Sequence, residues 1–320
     1  MGVWHLSGMG TSPGAITVPL TYLYLLLKAS IKEDSAKRFF ETSGEFMQEL
    51  KGGPEGLIIF TSEEVITGKK LGSVKDNWFY TKEQASAPKF VAKYLSNLLS
   101  SLKDKDFSEL YDDRWIREIY LVKVRHDNFD DCFFKAGVTL NALRDKEVWV
   151  NMIGGTNQIN LALLSLGTYF ASVSRYYYIF QSDISLLHPE IRKPDMKNPR
   201  EEVPEMRAKW NDLPLFHLET GSIIKRLNEM FQERKKINLS EVENLLEELG
   251  YSQMYISKLR GKLIMIERDI VTPGPMLGKL ADMLKAIEEL YIRNLSQWKK
   301  WASENKILYE LTLDGRCELK

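Results

Sequence analysis

The chain has 320 residues, 44 Lys and Arg against 44 Asp and Glu, and a hydrophobic content of 44%. This composition excludes disordered and collagen-like classes, and the charge balance excludes a global attraction to nucleic acid or to an anionic membrane. The two cysteines, Cys132 and Cys317, are far apart, so neither a disulfide framework nor a thiolate zinc site is predicted. We expect a cytoplasmic protein with no membrane-spanning or targeting segment.

Short apolar runs alternate with helical stretches in the first part of the chain, residues 1–187. This alternation is typical of a mostly parallel sheet covered by helices on both faces, so the predicted fold class is α/β. Strands are predicted over residues 3–7, 57–61, 119–124, 147–152 and 176–180, and helices over residues 19–31 and 87–102 and from Gln158 onward.

The second part of the chain has a different composition. Residues 188–214 carry five prolines among charged residues, which predicts a linker between two domains. Residues 215–320 are predicted to form a mainly helical domain of the winged helix-turn-helix type, with Ser240 and Glu243 at capping-box spacing. Its elements are helices over residues 222–236, 240–249 and 252–262, a strand over 263–266, a turn at 273–275 and a long C-terminal helix over 276–301.

A glycine-rich loop follows the first predicted strand. Gly8, Gly10 and Gly14 let the backbone approach a ligand, Thr11 and Ser12 offer hydroxyl donors, and the next helix presents its positive end. An anionic ligand is therefore predicted here. The glycine spacing also fits a dinucleotide-binding loop loosely, but the acidic residue which that motif requires after the next strand is missing, so we expect no nicotinamide or flavin cofactor.

A second loop of the same kind follows the fourth predicted strand, with Gly154 and Gly155 ahead of Thr156, Asn157 and Gln158. Loops at the carboxyl ends of parallel strands meet at one edge of the sheet, which predicts that both loops border one crevice. The alternative is that the glycines of both loops only make tight turns.

Lys123 and Arg125 end the third predicted strand, where they could meet a phosphate or form a solvated strand end. The four histidines show no spacing typical of metal ligands, and no phosphate loop of the GxxxxGK[ST] type occurs, so no metal or nucleotide triphosphate cofactor is expected. In the C-terminal domain, Lys258, Arg260 and Lys262 lie on what would be a recognition helix. They indicate DNA binding, and the alternative is a structural or dimerising role for the same helices.

The order of these features resembles the CRISPR-associated Rossmann-fold (CARF) proteins. The residues that carry the resemblance are Gly10-Thr11-Ser12 after the first strand and Gly154-Gly155-Thr156 after the fourth, followed by the predicted winged helix-turn-helix. The resemblance implies a Rossmann-like sheet and a homodimer. It also implies that the dimer binds a cyclic oligoadenylate second messenger, commonly cyclic tetra-adenylate, across its two-fold axis.

Two functions follow from this resemblance. The first is a ring nuclease, which cleaves cyclic tetra-adenylate without metal and switches off antiviral signalling; the second is a ligand-gated DNA-binding regulator without catalysis. Ser12 matches the family's loop serine and is the expected catalytic residue, whereas Asn157 stands where many members have a lysine. The expected ligand-binding residues are Gly10, Thr11, Ser12, Arg125, Gly154, Gly155, Thr156, Asn157 and Gln158.

Overall fold

The computed structural model describes residues 3–40, 54–68, 86–100, 116–170, 172–179, 198–213 and 220–320. Part of the predicted linker, residues 188–197 and 214, lies outside these ranges, as do residues 101–102 of a predicted helix and residue 180 of a predicted strand.

Within these ranges, eight strands form one large sheet in the order β11-β10-β3-β2-β1-β4-β5-β6. The five central strands are parallel, and an antiparallel strand or hairpin extends the sheet at each side. The protein is therefore mixed α/β, with a large, mostly parallel, Rossmann-like sheet. Its strands are β1 (Val3–Gly8), β2 (Pro54–Thr61), β3 (Glu118–Lys123), β4 (Glu147–Asn151), β5 (Arg175–Ile179), β6 (Trp210–Asp212), β10 (Leu308–Leu311) and β11 (Cys317–Leu319).

Helices connect the parallel strands and cover the sheet. Those of the first part of the chain are α1 (Gly14–Ala29), α2 (Asp34–Phe40), α3 (Glu63–Thr67), α4 (Ala87–Ser100), α5 (Phe129–Ala142), α6 (Asn157–Phe170) and α7 (Pro199–Lys209). The five predicted strands of the parallel sheet are all confirmed, because each is an apolar run that a sheet covered on both faces buries.

The two faces of the sheet bury separate cores, as the alternation of side chains along β1 shows. Trp4 and Leu6 point into a core shared with α5 and α6, whereas Val3 belongs to the core beneath α1, α2 and α4. Helices from the C-terminal part of the chain, residues 220–320, join the first of these cores, in which Trp298 is fully buried.

The C-terminal part contains helices around a small antiparallel sheet with the strand order β7-β9-β8. The predicted capping box is wrong by two residues, because the helix begins earlier: Asn238 caps it and exchanges hydrogen bonds with Glu241 instead. The elements are α8 (Thr220–Glu233), β7 (Ile237–Asn238), α9 (Leu239–Glu248), a 3₁₀ turn (Gln253–Tyr255), α10 (Ile256–Leu259), β8 (Ile264–Glu267), β9 (Ile270–Pro273), α11 (Leu277–Glu289) and α12 (Leu295–Glu304).

The long C-terminal helix predicted over residues 276–301 is wrong, because the chain breaks it into α11 and α12. Tyr291, which one continuous helix would place on the same stripe as Leu284 and Ile287, has a positive φ of 51° and is 67% exposed. A left-handed residue of this kind ends a helix. Asn294 then caps α12 by accepting a hydrogen bond from the Gln297 amide, so the second helix starts as a separate element.

Two further segments differ from the sequence-based expectation. Within the predicted linker, Pro199 stands at the start of α7, a position that tolerates proline, and β6 pairs with β5. After α12 the chain returns to the large sheet, where β10 pairs with β3. The domain limits at 187 and 215 stay a prediction, but α7 and β6 make residues 199–212 part of the structured molecule.

Candidate functional site

The first glycine-rich loop leaves β1 at the carboxyl edge of the sheet and is fixed to β2. The Met9 amide donates to the Phe60 carbonyl at 2.9 Å, and the Thr61 hydroxyl donates to the Met9 carbonyl at 2.8 Å. Beyond this anchor Thr11 and Ser12 are exposed, and α1 begins two residues after Ser12. The loop therefore presents two hydroxyl side chains at the start of a helix.

The second loop leaves β4 at the same edge and runs directly into α6. Gly155 has a φ of +87°, a conformation that a side chain would strain, and Asn157 is the first residue of the helix. Gly155 and Asn157 are exposed, while Thr156 and Gln158 are half-buried. The two loops therefore have the same form, in which a strand ends, glycines turn the backbone and a helix starts.

The structure brings the two loops into direct backbone contact. A Cβ atom on Gly154 would lie 2.4 Å from the Gly8 carbonyl oxygen, and one on Gly8 would lie 2.7 Å from the Gly155 Cα. These glycines thus serve the packing of one loop on the other. Gly10 differs from them, because a Cβ atom there would meet nothing within 4 Å.

The two helices that begin at these loops differ electrostatically from two others at the same edge. Neither α1 nor α6 has an acidic residue in its first turn. In contrast, α3 carries Glu63 and Glu64 in its first turn, and α5 carries Asp130 and Asp131. The first turns of α3 and α5 thus carry carboxylates of the protein that complement the positive ends of these helices, whereas those of α1 and α6 carry none.

The candidate cations after β3 have different surroundings. The Lys123 ammonium lies 3.7 Å from a Glu63 carboxylate oxygen, which satisfies its charge within the protein. Arg125 is exposed, and no ion pair of its guanidinium is found within the described part of the chain. Its own backbone amide donates to Asp131 at 2.8 Å, which fixes the loop that carries it. Arg125 is thus the better placed cation for a phosphate.

Thr156 connects the second loop to the segment that carries Arg125. Its hydroxyl donates to the His126 carbonyl at 3.1 Å, so this expected ligand donor also acts as a link between loops. The backbone of Thr156 in turn accepts the Asn160 amide, which starts the first turn of α6. The structure thereby joins Arg125, Thr156 and Asn157 in one arrangement.

Asn151, the last residue of β4, has a structural role that the sequence analysis missed. It is 3% exposed, its side-chain amide donates to the Ala15 carbonyl at 2.7 Å, and its side-chain oxygen accepts the Ile153 amide at 2.9 Å. It therefore links the start of α1 to the second loop. A polar residue at the end of a buried apolar strand is the signal that could have revealed it.

His5 does not belong to this site. Its ring is buried on the face of the sheet opposite to Trp4 and Leu6, where Nδ1 lies 3.1 Å from the Tyr177 hydroxyl. Burial, and to a smaller extent the positive charge of Arg175, lower the pKa of His5 to about 3. This histidine is therefore neutral at physiological pH and plays no part in acid–base chemistry at the loops.

The expected DNA-binding cations lie far along the chain, in the C-terminal part. Lys258 is on α10, Arg260 and Lys262 follow it, and all three side chains are exposed. In the portion of the chain that the structure covers, no cluster of three or more His, Cys, Asp or Glu residues could hold a metal ion. None of the helices described has the length and apolarity needed to cross a membrane.

The fold and the paired loops define a Rossmann-like α/β protein with a polar edge suited to an anion. No model of a known family matches the chain. It is 44% identical over 311 residues to an uncharacterized protein of Archaeoglobus fulgidus, covering 93% of this chain and 95% of the relative. The chain therefore belongs to the same family as this archaeal protein.

Two solved structures are similar at low identity. Enterococcus italicus Csm6, bound to cyclic hexa-2'-fluoro-hexa-dAMP, is 10% identical with a TM-score of 0.36, and the match covers 91% of this chain and 55% of Csm6. Can2 from Sulfobacillus thermosulfidooxidans, in complex with cyclic tetra-adenylate, is 11% identical with a TM-score of 0.28, covering 99% and 72% of the two chains. These scores are too low to transfer any property to this chain.

Proposed function

We propose that this protein is a CARF-type homodimer that binds cyclic tetra-adenylate at the two loops following β1 and β4. The observation that carries the proposal is the pair of helix starts, α1 and α6, that have no acidic residue in their first turns and meet at one edge. Exposed hydroxyls on Thr11 and Ser12 and the exposed Arg125 add donors and a positive charge for phosphates. A symmetric ring would contact the same loops of both subunits.

We further propose that the protein cleaves this ring, and so switches off CRISPR antiviral signalling. A ribose 2'-hydroxyl oxygen attacks the adjacent phosphorus while the bond to the 5'-oxygen breaks. The hydroxyl proton is lost and the leaving 5'-oxygen gains one, so no water is consumed and the product ends in a 2',3'-cyclic phosphate. Cleavage at two opposite positions yields two linear di-adenylates.

This reaction depends on positioning and on stabilising the charge of the pentacovalent phosphate. Ser12 would hold the reacting ribose and phosphate, and the loop amides around Gly154 and Gly155 would hold the neighbouring phosphates. Asn157 is a neutral donor, so the compensating cation in this proposal is Arg125. With one guanidinium on an exposed loop, we expect slow turnover.

The decisive experiment incubates the purified protein with radiolabelled cyclic tetra-adenylate in excess EDTA and separates the products by chromatography. Linear di-adenylate with a cyclic phosphate end is the expected product, and Ser12→Ala should lose or strongly slow its formation. The matched control is Ser174→Ala, since Ser174 is an exposed serine just before β5, at the opposite edge of the same sheet. A ring that is bound but intact would reduce the function to sensing, and a ring that is not bound would refute the proposal.

The second candidate function is a DNA-binding regulator, in which residues 215–320 form a winged helix-turn-helix domain. The specific observation in its favour is the arrangement of α8, α9 and α10 before the β8–β9 hairpin, with Lys258, Arg260 and Lys262 exposed on and after α10.

This candidate is tested by the salt dependence of binding to duplex DNA from the protein's own promoter region. Replacing Lys258, Arg260 and Lys262 with alanine should weaken binding and flatten the slope against salt concentration. Lys285→Ala is the control, because Lys285 is an exposed cation on α11. Equal binding by the triple variant and the wild type would remove DNA recognition from this surface.

A further inference from the structure

The helix α1 contains a proline in its second turn, and this proline leaves one backbone carbonyl without its helical donor. In an α-helix the carbonyl of residue 15 accepts a hydrogen bond from the amide of residue 19. Residue 19 is Pro19, which has no N–H to donate. The Ala15 carbonyl, one residue into the helix, therefore requires a partner from elsewhere.

Asn151 supplies that partner from another element. Its side-chain amide donates to the Ala15 carbonyl at 2.7 Å, and its side-chain oxygen accepts the Ile153 amide at 2.9 Å. The first bond holds the start of α1, and the second holds the turn that leads to Gly154 and Gly155. One side chain, 3% exposed, thus links the start of α1 to the second loop, in addition to the glycine contacts between the two loops.

We propose that Asn151 is the positioning residue of the candidate site, and that Pro19 is what makes the Ala15 carbonyl available to it. This inference rests on the proposed function, since the arrangement that Asn151 holds is that of the loops assigned to cyclic tetra-adenylate. Asn151 itself is buried beneath the loops and does not contact the ligand. Because it holds the loops in place before the ligand binds, it lowers the entropic cost of ordering them on binding.

The test separates positioning from stability by means of Pro19. Asn151→Leu keeps the approximate volume but leaves the Ala15 carbonyl and the Ile153 amide unpaired, so both thermal stability and affinity for cyclic tetra-adenylate should fall. Pro19→Ala provides the missing amide inside the helix. In the double variant the Ala15 carbonyl has a helical donor again, so part of the stability should return, while the side-chain link from the start of α1 to the second loop stays broken.

The expected affinities, measured by isothermal titration calorimetry, are about tenfold weaker for Asn151→Leu and equally weak for the double variant. Recovery of affinity together with stability in the double variant would show that Asn151 is only structural and would overturn the positioning role. If Asn151→Leu binds cyclic tetra-adenylate as tightly as the wild type does, the positioning role is overturned as well. The control is Thr139→Val. It removes a buried hydroxyl that accepts a hydrogen bond from the indole N–H of the buried Trp298, and it should leave affinity unchanged.

Two further outcomes have distinct meanings. If the wild type does not bind cyclic tetra-adenylate, the proposed function and the positioning role for this ligand both fail. Thermal unfolding tests separately whether Pro19 makes the Ala15 carbonyl depend on Asn151. This part of the proposal fails if Asn151→Leu lowers the stability of the wild type and of the Pro19→Ala variant by the same amount.

If Asn151→Leu does not fold, Asn151→Asp tests the positioning role instead. Its carboxyl retains the acceptor for the Ile153 amide, and when protonated it regains a donor for the Ala15 carbonyl. Its affinity relative to wild type should therefore rise on acidification, and a ratio independent of pH would overturn the proposal.

Discussion

In the described part of the chain, four helices start at the carboxyl edge of the same parallel sheet, and they form two contrasting pairs. The first turns of α3 and α5 carry acidic residues, and the Asp131 carboxylate accepts the backbone amide of Arg125. The first turns of α1 and α6 carry none. The comparison teaches that the protein places its own carboxylates at one pair of helix starts and none at the other pair, a difference that single substitutions can remove.

The largest expected effect comes from separating the two loops of the second pair. In Gly154→Ala the new Cβ would lie 2.4 Å from the Gly8 carbonyl oxygen, so the loops must move apart. We expect the free energy of unfolding to fall by about 3 kcal/mol and ligand binding to be lost. Thermal unfolding and calorimetry measure both, with Gly278→Ala on α11 as the control because its Cβ would meet open space. Equal stability of the two variants would contradict the packing of the loops.

The next largest effect is expected from removing one acidic residue, Asp131, from the first turn of α5. Asp131→Asn loses a charged acceptor for the Arg125 amide and an ion pair with Lys135 at 2.9 Å. We expect a loss of about 2 kcal/mol in the free energy of unfolding. Asp127→Asn, at an exposed aspartate of the same segment, is the control. If both variants unfold at the same temperature, the acid at the start of α5 has no special role.

A smaller effect should follow from making α6 resemble α5. Asn157→Asp places a carboxylate in the first turn of α6, where it competes with a phosphate of the ligand. We expect affinity for cyclic tetra-adenylate to fall about tenfold, while the protein itself is not destabilised. Asn244→Asp makes the same change on an exposed asparagine of α9. Unchanged affinity in Asn157→Asp would mean that the start of α6 does not face the ligand.

The smallest expected effect sharpens the contrast in the opposite direction. Asn157→Lys places a cation where many CARF proteins have one, and it should stabilise the negative charge that develops on the phosphate during cleavage. We expect the rate to rise about fivefold, because the gain in charge is offset partly by a lysine at the positive end of a helix. Single-turnover rates measure this change, with Asn244→Lys as the control. A lower rate would indicate that Asn157 itself donates a necessary hydrogen bond.

The parallel part of the fold could be predicted from the sequence, and its antiparallel edges could not. The strands β1 to β5 are short apolar runs between turn residues, a pattern typical of buried strands. In contrast, β6 and β11 are three residues long and partly polar, so only their tertiary pairing identifies them. The break between α11 and α12 was missed because the apolar spacing continues through Leu290 and Tyr291.

The candidate site shows the same division. Loop composition predicted that glycines and hydroxyls of two loops would share one edge, and the contact of Gly8 with Gly154 and Gly155 confirms that the loops meet. The partner of each side chain could not be predicted, because Asn151 reaches a carbonyl 136 residues earlier in the chain. Which of the expected residues bind a ligand stays a prediction.

The return of the chain to the large sheet has a consequence for folding during synthesis. The hairpin of β10 and β11 pairs with β3 through Leu308 and Val122, yet it is made after every other described element. Until then the outer edge of β3 has no strand beside it, and a nascent sheet in that state is open to pairing with another chain. Along the sequence, the helices of residues 220–304 thus lie between β6 and β10, two strands of the same sheet. The sheet is therefore complete only after these helices have been synthesised.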